Sequence, residues 1–381
     1  MNPIDYLDLH QAAILNTYHD LHILAEPSWQ EEKTSRYLRG RLEQAGMTIK
    51  TFRDHYGFIA EISGKSNEVV ALRADMDALV QEVKGTVKPN HSCGHDAHST
   101  MVLYSALAIA ASGIQPKHTL RFIFQPAEEK GEGALQMMKE GALNNVTYLF
   151  GVHVRPEKEC PYLKASPVIL HGSAGTIHGT IKGLQAHASR PKEGINVIEA
   201  AAFLVQQLKE IQLLTETPYS IKMTKLKVDN DASNAIPETA VFAIDARAQT
   251  NEVMFDLKQL TNRIMNQTMK ETGATISWSM AEYVPAATKH EKAIKLAETA
   301  ICKILGEENV IHDLISQGGE DFHFYTANHP ALAATMVGLG CGLSPGLHHP
   351  DMSFNLEALI YGAKILTQTV LLTSENNLKE E

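Results

Sequence analysis

Cysteine is scarce in this 381-residue chain: Cys93, Cys160, Cys302 and Cys341 stand far apart. That sparseness excludes a disulfide framework as the basis of stability and leaves Cys93 as a free thiol. Positive charge is also in deficit, with 34 Lys and Arg against 44 Asp and Glu and a net charge of -10. No basic stripe interleaved with aromatic residues relieves the deficit, so nucleic acid is not an expected partner. No segment approaches the ~20 apolar residues of a membrane span, and no membrane partner is expected. A Gly-rich phosphate loop after an early strand is missing, which argues against a nucleotide-binding α/β protein. Met1-Asn2-Pro3-Ile4-Asp5 has no basic stretch leading into an apolar run, so the expectation is a cytoplasmic protein. There is no internal repeat and no low-complexity tract.

A chain of this length exceeds what one hydrophobic core organises, and two domains are expected. Residues 6–24 and 30–44 read as helices, the second opened by a Ser28 cap with Glu31 three residues on and stopped at Gly46. Apolar, β-branched runs then follow at 58–62, 69–74, 120–124 and 148–154, with a helical stretch at 100–111 between them. Strands alternating with helices predict an α/β domain built on a mostly parallel sheet. From about residue 172 the rhythm changes to strand, helix, strand, strand, helix, strand: 175–181, 195–214, 220–228, 240–246, 251–272 and 274–282. This βαββαβ order predicts a compact α+β unit. Helix and strand return at 293–305, 331–338 and 356–372, so the middle unit reads as an insertion, 172–285, into a discontinuous domain of residues 1–171 and 286–381. The residues after Ser374 read as a frayed tail.

What the chain does have is concentrated chemistry. Cys93-Gly94-His95-Asp96-Ala97-His98 packs a thiol, two imidazoles and carboxylate into six residues, and no apolar core requires that set. A thiolate and an imidazole two residues apart can face one cation, with Gly94 letting the backbone approach. Several strands run directly into polar clusters: 69–73 into Asp75 and Asp77, 121–124 into Glu128 and Glu129, and 149–152 into His153. In open α/β sheets the site lies beyond the carboxyl ends of the strands, so these clusters converge on one rim. Adjacent Glu128 and Glu129 diverge in a turn after a strand, so that one can bind metal while the other acts as general base. Asp77, and after it Asp75, is expected to orient a ligand imidazole. His348 and His349, in a loop rich in Gly and Pro, are both eligible to complete the set.

These motifs, Ala71-Leu72-Arg73-Ala74-Asp75-Met76-Asp77-Ala78-Leu79, the Cys93–His98 hexapeptide, Gln125-Pro126-Ala127-Glu128-Glu129, Gly151-Val152-His153 and Leu347-His348-His349-Pro350, resemble the aminoacylase and hippurate-hydrolase branch of the dimetal exopeptidases. The resemblance covers nearly the whole chain. It implies that Cys93, His95, Glu129, His153 and His348 bind two divalent ions, zinc, manganese or cobalt, with Cys93 as a bridging thiolate and Glu128 as general base. It favours His348 over His349. It implies hydrolysis of an N-acyl amino acid, a small-molecule substrate, by attack of a metal-activated water on the amide. It also makes the inserted unit a lid, through which a homodimer can form. Within that lid His187, in Gly183-Leu184-Gln185-Ala186-His187-Ala188-Ser189-Arg190-Pro191, would stabilise the oxyanion. Asn234 and Arg247 would hold the substrate carboxylate.

The chain departs from the family pattern at two places near the substrate cleft. Val80-Gln81-Glu82 follows Leu79 where Pro is usual, and Arg155 stands where an aromatic residue is frequent; Arg155 is open to a second acidic group on the substrate or to pairing with Glu157 and Glu159. The rival readings are a dimetal carboxypeptidase or dipeptidase, which shares the centre, and a non-catalytic ligand-binding relative, which predicts a missing base or ligand.

Overall fold

The computed structural model describes residues 1–228 and 230–375. The tail expected to fray lies, from residue 376 on, outside the described residues. The chain forms two compact units: one of Met1–Leu170, Thr288–Ile315 and the chain from Asp321 on, the other of His171–Ala287 with Ser316–Glu320.

The first unit is built on a seven-stranded mixed sheet. Its strands are β1 (Thr48–Thr51), β2 (Phe58–Ile62), β3 (Ser66–Asp75), β4 (His118–Gln125), β5 (Val146–Pro156), β6 (Ala165–Ser166) and β7 (Ala333–Leu343). They lie in the order β1-β2-β4-β3-β5-β7-β6. The four central strands β4, β3, β5 and β7 run parallel, whereas β1, β2 and β6 join antiparallel at the margins. Near-continuous apolar runs such as Val69 to Leu72 suit the central strands, which are buried on both faces. Because the parallel strands share one polarity, the ends of β3, β4 and β5 deliver Asp75, Gln125 and the 153–155 segment to one edge.

Some boundaries differ from the sequence expectation for physical reasons. The first helix is two, Pro3–Leu9 and Gln11–Leu24. The break falls at His10, whose ring stacks on Tyr6 and whose Nδ1 lies 2.7 Å from the Tyr6 carbonyl oxygen. Ser28 and Glu31 do not form the expected capping pair: the helix Glu32–Gln44 has no side-chain cap, and the two side chains bond Asp77 and the Ala127 N–H instead. The helix expected from Thr100 starts at His95. It is buried on every side from His95 to Ile109, so its polar opening turn carries no amphipathic signal.

A hairpin of Leu79–Val83 and Thr86–Asn90 occupies what reads as loop. Lys84 and Gly85 both have positive φ, 51° and 80°, the two-residue turn that suits tightly joined antiparallel strands.

The second unit is an α+β insertion. Its antiparallel sheet orders the strands Tyr219–Val228, Thr239–Ala248, Ser173–Lys182 and Thr275–Val284. The helices Val197–Lys209 and Asn251–Thr272 share its core through Leu204, Leu208, Leu257 and Met265 against Ile177, Ile181, Phe242 and Ile244. The side chains of Asn196 and Thr250 cap these helices.

The helix carrying His95 is held by close packing on the C-terminal helix Ala358–Glu375. A Cβ added at Gly362 would stand 2.0 Å from Met101 Sδ and 2.8 Å from Leu339 Cδ2, both on fully buried side chains. Gly362→Ala is therefore expected to lower stability by about 1–3 kcal/mol. Thermal unfolding checks this, and an unchanged melting temperature would mean that the two helices do not meet at Gly362.

Candidate metal centre

The centre is assembled around Asp77, just beyond the end of β3. Asp77 is 1% exposed and both its oxygens are occupied. Oδ1 accepts from the Glu128 N–H at 3.1 Å and lies 3.2 Å from His95 Nδ1. Oδ2 accepts from the Ser28 hydroxyl at 2.6 Å and the Glu129 N–H at 3.1 Å. Burial acts to raise the Asp77 carboxyl, but its bonds to His95 and Ser28 hold it below the ordinary value. An ionised Asp77 keeps the His95 proton on Nδ1, so the Nε2 lone pair points the other way.

That Nε2 faces the two glutamates, 3.7 Å from Glu128 Oε2 and 3.8 Å from Glu129 Oε1. Ala127 precedes them with φ 52°, a left-handed turn, and both carboxylates come to the same nitrogen. Glu128 Oε1 accepts from the Asp321 N–H at 3.3 Å. Glu129 Oε1 lies 3.6 Å from His348 Nε2. His348, itself left-handed at φ 63°, donates its N–H to the Ser92 carbonyl at 2.7 Å. His349 Nδ1 instead accepts from the Asp351 N–H and closes its own turn.

On the other side Cys93 Sγ is 3.6 Å from His153 Nε2, while His153 Nδ1 lies 2.7 Å from the Val154 carbonyl oxygen and donates to it. Gly94 makes this approach feasible: its φ is 90°, and a Cβ there would meet Val154 Cγ2 at 2.5 Å.

These donors fit a pair of divalent cations. His95 Nε2 and Glu129 Oε1 are buried without a hydrogen-bond partner among the described residues, a costly state unless a cation takes their lone pairs. The donor atoms of Cys93, His95 and His153 all lie within 4.8 Å of one another, and so do those of Cys93, Glu129 and His348. Cys93 is common to both sets.

At four of the five donors the electrostatics agree; at His95 burial is overcome by the Asp75 and Cys93 charges, which hold the imidazole well above its ordinary value, a balance that an adjacent metal charge opposes. Burial, reinforced by the Glu129 charge, pushes the Cys93 thiol well above its ordinary value. Burial also lifts the Glu129 carboxyl to about 7, against the pull of His95 and with the push of Asp77. Both groups resist ionisation until an adjacent metal charge reverses the balance. Burial first, then His98 and Arg155, push His153 down; burial and His95 do the same to His348. Both rings are therefore neutral, as ligation requires.

The remaining motif residues support this arrangement. His98 is occupied on both nitrogens, with Nδ1 2.7 Å from Asp75 Oδ1 and Nε2 accepting from the Val154 N–H at 3.0 Å. Asp96 Oδ2 lies 2.7 Å from His22 Nδ1, and its Oδ1 accepts from the Ala97 N–H. Asp75 lies below its ordinary value despite burial, because His95, His98 and Arg73 face it. Arg155 bonds Glu159, the second of the two uses open to it from sequence.

In the second unit, His187 pairs with Ala235 in a short ladder, and Ala188 donates to the Asn234 carbonyl at 2.8 Å. His187 and Ala235, 48 positions apart, thus lie side by side. His187 Nδ1 accepts from the Ser189 N–H at 3.2 Å, which puts the neutral ring's proton on Nε2. Arg247 is forked onto Asp245 at 3.0 and 3.2 Å.

Several contributors were not legible as such. Arg73, 1% exposed, bonds Asp75, Gln125 and Asp321 beneath the rim. Asp321 also accepts from the Ala134 N–H. The acidic pair after Gly318-Gly319 is the signal that could have found it. Gln81, at the departure that follows Leu79, donates to the His348 carbonyl at 3.1 Å, and Asn90 donates to that of Pro350.

Residues 71–372 match Peptidase family M20/M25/M40, and the chain belongs to that family. It is a hydrolase of the metallo-amidohydrolase kind. It is 29% identical to the N-acetylcysteine deacetylase of Bacillus subtilis, over 95% of this chain and 97% of that one. It is likewise 29% identical to IAA-amino acid hydrolase ILR1-like 5 of Arabidopsis thaliana, over 95% and 87%. The crystal structure of the Bacillus subtilis YXEP protein, described as a dinuclear metal binding peptidase of the M20 family, aligns with a TM-score of 0.82 and 26% identity over 97% of this chain and 99% of that one. No helix among the described residues is long and apolar enough to cross a membrane.

Gly94→Ala should lower metal content, because it strains the backbone between Cys93 and His95 and drives a methyl into Val154. Elemental analysis of the purified variant reads this; full metal loading would show that Gly94 is dispensable.

Proposed function

We propose that the protein hydrolyses the amide of an N-acyl amino acid, releasing a carboxylic acid and a free amino acid. Cys93, His95 and His153 would hold one divalent cation, and Cys93, Glu129 and His348 the other. The observation that carries this reading is the pair of three-donor sets sharing one buried thiol, with Glu128 brought together with His95 and Glu129 beside them. Zinc, manganese and cobalt all suit a mixed thiolate, imidazole and carboxylate set. When bound, the cations supply Lewis acidity and bring the pKa of a water towards ~7.

The chain's own residues supply the rest. Glu128 is fixed at its N–H by Asp77 and at Oε1 by the Asp321 N–H. From that position it takes the proton of the attacking water and returns it to the leaving amine. His187, protonated on Nε2, is the donor for the oxyanion that develops on the amide carbonyl. Asn234 and Arg247 receive the substrate carboxylate, Arg247 exchanging Asp245 for it. The inserted unit acts as a lid and as the surface for a homodimer, and the enzyme works in the cytoplasm. Two of its relatives, an N-acetylcysteine deacetylase and an IAA-amino acid hydrolase, support this substrate class.

Two measurements test the reading. Glu128→Gln should retain the metal content of the parent while hydrolysis falls by at least ~100-fold; persistent activity removes the base assignment. Across a substrate panel, N-acetyl and N-benzoyl amino acids should be cleaved with higher kcat/KM than dipeptides. The opposite ranking would make the protein a dipeptidase or carboxypeptidase built on the same centre.

A further inference from the structure

The segment Ser28-Trp29-Gln30-Glu31 grips the turn that carries Glu128 at three places. Ser28 donates to Asp77, which holds the Glu128 and Glu129 N–H groups. Trp29 Nε1 donates to Glu132 Oε2 at 2.9 Å, on the far side of the turn. Glu31, 0% exposed, reaches the turn itself. Its Oε1 accepts from the Ala127 N–H and from the Trp29 N–H, both at 2.9 Å.

Ala127 and Trp29 have left-handed backbones, φ 52° and 69°. Side chains other than glycine rarely adopt that conformation without an outside constraint. One carboxylate oxygen thus ties two strained residues together, and the residue after Ala127 is Glu128. The other oxygen, Oε2, is buried with no hydrogen-bond partner among the described residues. Burial and the nearby Asp77 charge raise the Glu31 carboxyl to about 7 against the pull of the N–H groups it accepts from; what the geometry uses is an oxygen acceptor at Oε1.

The geometry points to Glu31 as a positioning residue for the general base: it holds the left-handed turn at Ala127, from which Glu128 is set beside His95. This rests on the assignment of Glu128 as base. A carboxylate kept only for its charge would tolerate Asp and reject Gln. A carboxylate kept for one acceptor at a fixed reach does the reverse, since Gln preserves both N–H bonds and Asp withdraws the oxygen by one carbon.

The test compares Glu31→Asp and Glu31→Gln in the metal-loaded enzyme on an N-acetyl amino acid, with metal content and melting temperature measured on the same samples. In Glu31→Asp, kcat should fall about tenfold or more with KM changed by less than about twofold and metal content unaltered, as for a base displaced by a fraction of an ångström. Glu31→Gln should keep at least about half of the parent kcat. Parental kcat in Glu31→Asp overturns the inference, and so does a Glu31→Gln as impaired as Glu31→Asp. A fall in kcat matched by lost metal overturns it as well, since Glu31 would then serve the ligand and not the base. Loss of the fold in both variants does so too, because the carboxyl would then hold the chain and not the turn. Glu128→Gln assayed alongside separates the two readings. If it stays active, the base assignment underlying this inference fails; if it is inactive beside a fully active Glu31→Asp, only Glu31's role fails.

Discussion

The arrangement of the centre depends on the four hydrogen bonds that converge on the buried Asp77 carboxylate. They join elements that are distant in sequence: the Ser28 segment, the start of the helix His95–Ser112, and both N–H groups of the Glu128-Glu129 turn. Each buried donor left unmade would cost about 1–3 kcal/mol, so the four positions are held together as a set. The same carboxylate fixes the His95 tautomer, and so one group decides both where the ligand atoms stand and which of them has a lone pair to give.

Beneath Asp77 lies the charge that makes such an acidic rim tolerable. Arg73 bonds Asp75 and Asp321, and Gln125 bridges Arg73 to Asp321. Asp75 in turn holds His98, whose other nitrogen receives the Val154 N–H, and Val154 follows His153. Buried ionised groups survive only when their partners are complete. The rim therefore sits on a second layer in which each carboxylate has a cation or an N–H to meet. Among the described residues, His95 Nε2 and Glu129 Oε1 are two of the buried atoms without a hydrogen-bond partner, and they face the candidate metals.

Much of the layout could be read along the chain. The strands ending in Asp75, Gln125 and the 153–155 segment were visible as apolar, β-branched runs that break into polar residues, because strand burial leaves a strong local signature. The helix Asn251–Thr272 was likewise legible to the residue, since its cap at Thr250 and its stop at Gly273 are both written locally. Ser28 and Glu31 misled. Their spacing matches a helix-capping pair, but tertiary contacts with Asp77 and Ala127 claim both side chains. Arg73 and Asp321 gave no signal of partnership, being 248 positions apart.

The sequence by itself determined the inventory: one thiol between a strand and a helix, adjacent glutamates after a second strand, histidines after a third and in a late loop, and an α+β insertion. Those features are local in kind, set by residue type, short spacing and hydrophobic period. Only the tertiary structure decided which atoms face each other. It set Cys93 between two donor groups, turned His98 inward onto Asp75 and Val154, put His348 and not His349 beside Glu129, and committed Arg155 to Glu159. The physical reason is that ligand choice depends on distances of a few ångströms between segments far apart along the chain, and those distances exist only once the parallel strands bring their carboxyl ends to one edge.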